Sequence, residues 1–112
     1  LEAPPVTTLR DGERKAVESK FLCKGDIVTL NAGDVVPADV RILECTDDTV
    51  VDNAALTGES EPQKRRPEAS DDNPLETANL AFFGTTVPNG SLTGIIVNIG
   101  DDTVMGKIAA LT

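Results

Sequence analysis

Short runs of β-branched and aliphatic residues, bounded by turn-forming residues, follow one another along most of this chain. Residues 26–30, for example, read Asp-Ile-Val-Thr-Leu and are bounded by Gly25 and by the pair Gly33-Asp34. Runs of this length and composition are typical of strands, and the frequent turns between them leave little room for helices. The pattern therefore predicts a mainly β domain, arranged as a sandwich or a barrel-like roll.

Other segments carry the same signal. Residues 6–9 and 14–17 flank Asp11-Gly12, a dipeptide favoured in tight hairpin turns because both residues tolerate positive φ. Residues 40–43 and 50–51 are also predicted as strands.

A two-residue period near the C-terminus predicts one more strand. Ile95, Val97 and Ile99 alternate with a second set of positions, and we predict that these three form its apolar face. The segment Pro88-Asn89-Gly90 is predicted to be the hairpin turn that precedes this strand.

One helix is predicted, over residues 103–111. It places Val104, Ile108 and Leu111 on one stripe, whereas Gly106 weakens the helix by about 1 kcal/mol relative to alanine. We therefore expect packing, or continuation into further chain, to stabilise it. Three residues are candidates for its N-cap: Asp101, Asp102 and Thr103.

Composition narrows the class of protein. A chain of 112 residues with 39% hydrophobic residues can bury a core of its own as one domain. The net charge of −9 argues against nucleic acid and anionic membrane surfaces as partners, since both recruit Lys and Arg. Cys23 and Cys45 lack metal-ligand spacing and histidine is absent, so we expect two buried free thiols, no metal site and a reducing compartment.

Residues 63–79 form a long polar stretch without periodicity. We predict a solvated loop here, with a binding patch at Lys64, Arg65 and Arg66 as the alternative. An exposed loop predicts that trypsin cleaves the folded chain after one of these three residues.

A single carboxylate stands beside glycine in the segment Thr57-Gly58-Glu59-Ser60, which follows a branched apolar run. Glycine lets the backbone take dihedral angles closed to other residues and approach another surface. Glu59 is therefore expected to point outward from a tight turn, where it can serve a partner as an acid or base. On its own, such a motif is more often an ordinary turn.

The order of the turn and acidic residues gives the motif a context. The ordered positions are Gly25-Asp26, Gly33-Asp34, Pro37-Ala38-Asp39, Asp52, Thr57-Gly58-Glu59-Ser60, Gly84-Thr85, Gly90, Gly94, Gly100, Thr103 and Gly106. This series resembles the actuator domain of the P-type cation-transporting ATPases from about residue 9 to residue 111. Residues 73–83 and 100–109 are most similar to the sodium/potassium and proton/potassium pump branch.

The resemblance implies a mainly β, distorted jelly-roll or double-stranded β-helix-like domain with a short C-terminal helix. Residues 1–112 would form one actuator domain, a fragment of a larger multi-domain membrane ATPase. The glycines outside the motif are expected to serve turns and packing, and Asp26, Asp34 and Asp39 to bind loop backbone.

The resemblance also implies roles for the motif. Glu59 would position water, or act as its general base, for hydrolysis of an aspartyl-phosphate on another domain. Thr57, Gly58 and Ser60 would supply loop contacts at the phosphoryl site, with Thr57 and Ser60 bonding to water, to phosphate or to their own loop. Rotation of the domain would couple ATP hydrolysis to cation transport.

The implied partners are the phosphorylation and nucleotide-binding domains of the same polypeptide, transmembrane helices reached through flanking linkers, and an accessory subunit. The implied location is the cytoplasmic face of a multi-pass protein of the plasma membrane. No cofactor is expected in this domain, whereas ATP and Mg²⁺ would act in the full-length pump. The isolated domain is expected to be monomeric and inactive.

Two other functions fit the residues alone. One is a stand-alone acidic β-roll module that binds a protein partner through its acidic face or through residues 64–66. The other is an independent hydrolase built on Glu59. It is the weaker of the two, because no histidine, nucleophile pair or metal cluster in the sequence supports it.

Overall fold

The computed structural model describes residues 4–111 and contains two antiparallel sheets. The strands are β1 (Val6–Arg10), β2 (Glu13–Val17), β3 (Ile27–Asn31), β4 (Asp39–Cys45), β5 (Val50–Asp52), β6 (Gln63–Lys64), β7 (Leu80–Ala81), β8 (Thr86–Asn89) and β9 (Ser91–Asn98). Six of them form one sheet in the order β2-β1-β3-β9-β4-β7, and three form a second sheet in the order β6-β5-β8. With two short helices, α1 (Ala54–Thr57) and α2 (Val104–Ala110), the fold class predicted from the sequence is confirmed.

The predicted hairpin at Asp11-Gly12 is confirmed. Strands β1 and β2 pair in antiparallel register from Val6 opposite Val17 to Arg10 opposite Glu13. The two turn residues have φ of 53° and 78°, the left-handed values that this tight turn requires.

The core lies between the two sheets. Aliphatic side chains dominate it, and both sheets contribute, with Val51 and Val87 from the smaller one. The buried cluster comprises Val6, Val17, Leu22, Val28, Leu30, Val36, Ala38, Val40, Ile42, Val51, Ala81, Val87, Leu92 and Ile96.

Strand β9 buries a different face from the one predicted. Leu92 and Ile96 are almost fully buried, while Ile95 and Val97 on the opposite face are only half-buried. Both faces carry aliphatic residues, so alternation alone could not select the buried one. The choice is made by β3 and β4, which flank β9 on either side and carry Val28 and Val40 into the core.

The turn at Pro88-Asn89-Gly90 does not close a hairpin. Strand β8 pairs with β5 in the three-stranded sheet, whereas β9 pairs with β3 and β4 in the six-stranded sheet. The prediction of a hairpin at this position is therefore wrong. The turn carries the chain from one sheet to the other, and turn residues alone do not reveal the partner of the next strand.

Helix α2 forms where it was predicted, and Thr103 is the cap. Its hydroxyl accepts a hydrogen bond from the Gly106 N–H at 3.0 Å and donates one to the Gly100 carbonyl. The predicted stripe is not buried on this domain, since Ile108 is 44% and Leu111 88% exposed. Gly106 has a packing role, because a side chain there would overlap the backbone of Asp101.

Two further expectations are corrected by burial. Cys23 is exposed rather than buried, because it lies in the turn that leads into β3, while Cys45 is partly buried and packs against the core.

Residues 67–76 are exposed as predicted, but Arg65 is buried. Trypsin is therefore not expected to cleave after Arg65 in the folded chain.

An ion pair ties β1 to the start of β3. The Arg10 guanidinium donates from Nε to Asp26 Oδ1 at 3.0 Å and from Nη2 to Oδ2 at 2.6 Å. The Cys23 N–H also donates to Asp26 Oδ2. These hydrogen bonds, the one from Arg10 first, hold the pKa of Asp26 below its usual range against the opposing effect of burial.

The depressed pKa of Asp26 predicts a loss of stability in acid. Because the folded pKa lies below the unfolded value, the contribution of Asp26 is complete above the unfolded pKa, near 3.9, and disappears as pH falls through the folded value. Urea unfolding at pH 6 and near pH 3 should therefore give a larger drop for the native chain than for Asp26→Asn. Equal drops would contradict the linkage.

Candidate functional site

The segment predicted to carry function begins where β5 ends. The Asp52 side chain accepts a hydrogen bond from the Ala54 N–H at 2.8 Å and so fixes the entry into the single turn of α1. Within that turn the Asn53 carbonyl accepts from the N–H groups of Leu56 and Thr57, each at 2.9 Å. The chain is thus turned sharply just outside the smaller sheet.

Gly58 ends α1 in the left-handed conformation. Its φ is 82°, and its N–H donates to the Ala54 carbonyl at 2.8 Å, which satisfies one of the last carbonyls of the turn. An added Cβ would meet no other atom within 4 Å, so the glycine is required by its φ and not by crowding within this domain.

Thr57 stabilises the loop itself. Its hydroxyl donates to the Asn53 carbonyl at 3.1 Å and accepts from the Glu59 N–H at 3.2 Å. Of the partners left open by the sequence, the loop backbone is therefore the one that Thr57 engages in this structure.

Glu59 and Ser60 are exposed at the tip. Within residues 4–111 the ion pairs are Arg10–Asp26, Lys15–Glu13 and Lys20–Glu18, so the Glu59 carboxylate has no cationic partner in the described chain. The structure therefore brings the four predicted residues into one turn, with the carboxylate directed to solvent and the backbone below it held by hydrogen bonds.

Asp52 and Asn53 also belong to the site, although no structural role was predicted for them from the sequence. Asp52 caps the entry to the turn, and the Asn53 carbonyl accepts three hydrogen bonds from residues that follow it. An aspartate two residues before a helical turn is a usable sequence signal for such a cap. Nothing in the sequence indicates that the Asn53 carbonyl accepts three hydrogen bonds.

Metal binding and membrane crossing were also considered for the described residues. Across residues 4–111, no three His, Cys, Asp or Glu side chains are grouped so as to hold a metal ion. In the same range no helix has the length and apolar character needed to cross a bilayer.

Comparison with known proteins gives the fold and the site a family context. The sequence model of the P-type ATPase actuator domain matches residues 1–112. Over 103 residues, or 92% of this chain, the sequence is 55% identical to the sodium/potassium-transporting ATPase subunit alpha-B of Artemia franciscana and 52% identical to the alpha subunit of Tetronarce californica. It is 50% identical over 94% of its length to the potassium-transporting ATPase alpha chain 1 of Xenopus laevis.

This chain spans about a tenth of the length of each of these relatives. Among solved structures, it is similar to a zinc-transporting PIB-type ATPase in the E2.Pi state, with a TM-score of 0.74 and 28% identity over 98% of this chain and 16% of that one. The same kind of pump in the E2P state gives a TM-score of 0.76 and 29% identity, over 99% of this chain and 16% of the other. A stand-alone acidic binding module finds no support in these similarities.

Proposed function

This chain belongs to the family of P-type ATPase actuator domains, and from that premise we propose that residues 1–112 form one such domain of a larger, multi-domain membrane ATPase. The parent protein is an ATP-driven cation pump of the sodium/potassium type, as the names of relatives at 50–55% identity suggest. The domain promotes hydrolysis of the aspartyl-phosphate intermediate, and its rotation couples that hydrolysis to ion transport.

The observation that carries this proposal is an exposed carboxylate without a cationic partner on an internally bonded turn. Hydrolysis of an acyl-phosphate requires water in line with the scissile P–O bond, and a carboxylate can orient that water and accept its proton. Glu59 has the reach for this task because its side chain is exposed. The hydrogen bonds around Thr57 keep the turn in one shape, which reduces the ordering needed on docking.

The neighbours of Glu59 suit a close approach to a phosphoryl group. Gly58 carries no side chain and has open space where a Cβ would lie, so a phosphoryl oxygen could come close to its backbone. Ser60 is exposed and forms no hydrogen bond with another described residue, which leaves its hydroxyl available to water or phosphate. Thr57 acts mainly by holding the loop, since its hydroxyl is already engaged as donor and acceptor.

The negative charge of Glu59 explains why the loop would dock at the phosphoryl group at only one stage of the pump cycle. A carboxylate beside a phosphoryl group is repelled, so the loop approaches only when domain rotation brings it there. The domain therefore works with the phosphorylation and nucleotide-binding domains of its own polypeptide, with membrane helices through its linkers, and with an accessory subunit of the pump. We place it at the cytoplasmic face of the plasma membrane.

ATP and Mg²⁺ act in the intact pump rather than in this domain. When bound at the phosphorylation domain, they supply the phosphoryl group and neutralise its charge. The described residues hold no cluster that suits Mg²⁺, so no step through the metal is assigned to this chain. Because the phosphorylated aspartate and the nucleotide site lie on other domains, we expect no ATPase activity from the isolated domain.

Protection of the loop tests the docking. A glutamyl endopeptidase should cut the intact pump between Glu59 and Ser60, since both are exposed, whereas the bond after Glu61 precedes Pro62 and resists. A fluoride phosphate mimic such as beryllium fluoride should slow this cut, with cleavage after the exposed Glu68 as the internal control. Equal cleavage after Glu59 with and without the mimic would contradict the proposal.

A further inference from the structure

Arg65 is the one basic residue among residues 4–111 that is buried, with only 6% of its surface exposed. Its Nη1 donates to the Thr77 carbonyl, but its Nε is buried without a hydrogen-bond partner. None of the three ion pairs in the described chain involves it. A buried guanidinium outside any ion pair is costly, because its lost hydration is repaid only by paired anions or by full hydrogen bonding.

Arg65 lines a cavity of about 490 Å³, here called the Arg65 cavity. This volume falls within the roughly 300–1,000 Å³ typical of small-molecule sites. Its charged lining residues are three cations, Lys64, Arg65 and Arg66, and two carboxylates, Asp47 and Glu68. The lining is therefore net positive by one charge, whereas the whole chain carries −9.

We propose that the Arg65 cavity binds a phosphate group, either as free phosphate or on a small phosphorylated molecule. The Arg65 Nη2 donates to no described residue and, unlike Nε, is not enclosed by the protein, so it can donate a charge-assisted hydrogen bond to an oxygen of the anion. Lys64 and Arg66 have exposed side chains on either side of it in sequence and can balance the remaining charge.

A single phosphate group fits this lining better than a carboxylate, a metal cation or a polyphosphate. A phosphate offers more oxygens to the cationic residues of the lining than a carboxylate, which has only two. A metal cation is disfavoured by the three positive charges. Asp47 and Glu68 repel highly charged anions, so a single phosphate group is preferred over a polyphosphate.

Amide NMR of the 112-residue chain tests the proposal. Inorganic phosphate and AMP are titrated at constant pH and ionic strength, with acetate as the comparison anion. We expect saturable shifts at residues 45–47 and 64–68 with phosphate. Tighter binding of AMP than of phosphate would identify a phosphorylated organic molecule as the ligand, and binding of phosphate alone would identify the free ion. Absence of saturable shifts with both probes, or equal shifts with acetate, would overturn the proposal.

Variants separate binding from folding. Arg65→Ala removes the bond to Thr77 and risks unfolding, so the decisive variant is the double change Lys64→Gln and Arg66→Gln, which alters only exposed side chains. We expect it to weaken phosphate binding about tenfold or more, because charge-assisted contacts are lost. The double change Lys20→Gln and Lys24→Gln, at two exposed lysines outside the cavity, is the charge-matched control and should bind as the native chain does. Unchanged affinity in the variant with Lys64→Gln and Arg66→Gln would overturn the proposal.

A thiol in the cavity gives an independent readout. Cys45 lines the Arg65 cavity, and its Sγ donates to the Arg65 carbonyl at 3.5 Å. Bound phosphate should slow alkylation of Cys45 both by covering it and by disfavouring its thiolate. Exposed Cys23 serves as the internal control and should react at an unchanged rate. Equal effects of phosphate on both thiols would contradict binding in this cavity.

Discussion

Replacing Glu59 by glutamine in the intact pump should slow decay of the phosphoenzyme by roughly 10²–10⁴-fold, while phosphorylation from ATP continues. Glutamine keeps the size of the side chain but cannot accept the proton of the attacking water. The fold should be unaffected, because the Glu59 side chain is exposed and forms no ion pair with a described residue. The loss would therefore report chemistry rather than stability.

The measurement is a chase of acid-stable, radiolabelled phosphoenzyme after excess unlabelled ATP is added. Glu61→Gln is the matched control, since Glu61 is exposed, lies two residues away, and accepts a hydrogen bond only through its backbone carbonyl. We expect Glu61→Gln to decay at the native rate. If Glu59→Gln also decays at that rate, Glu59 does not position or deprotonate the water.

Replacing Asp39 by alanine should destabilise the domain by about 3–6 kcal/mol, because each hydrogen bond to a charged group contributes about 1.5–3 kcal/mol and two are lost. The buried carboxylate accepts from the Phe83 N–H through Oδ1 and from the Val104 N–H through Oδ2, both at 2.9 Å. It thereby joins β4 to the loop after β7 and to the start of α2. A loss of this size approaches the lower end of the roughly 5–15 kcal/mol by which typical domains are stable.

Urea unfolding measures this effect, with two comparison variants. Asp39→Asn keeps one acceptor oxygen and should lose about half as much stability. Asp34→Ala removes a single bond, from the Asn31 N–H at 2.7 Å on an exposed loop, and should cost about 1 kcal/mol. If Asp39→Ala is no more destabilising than Asp34→Ala, Asp39 does not hold these elements together.

The exposed stripe of α2 shows that a helical pattern predicts the helix but not its burial. Val104, Ile108 and Leu111 have the spacing of a helix, and the helix forms. Packing and continuation into further chain were both expected as sources of stability, and this domain does not bury Ile108 or Leu111. Periodicity predicts which side chains share a face, but a second element must be present for that face to be buried.

The sequence by itself determined the features that depend on near neighbours in the chain. Strands β1 to β5 and β9, the turn at Asp11-Gly12, helix α2 and the outward turn at Gly58 follow from local propensity, turn chemistry and the left-handed conformation open to glycine. The order of the motifs in the sequence was also sufficient to show the resemblance to P-type ATPase actuator domains, and the family match confirms it.

Tertiary structure alone decided the features that depend on distant residues. It selected the buried face of β9, sent β8 to a different sheet from β9, and buried Arg65 beside the Thr77 carbonyl. Each of these outcomes is set by side chains and backbone many positions away. Local rules fix the conformation of a segment, whereas burial and pairing are fixed by what the rest of the chain places against it.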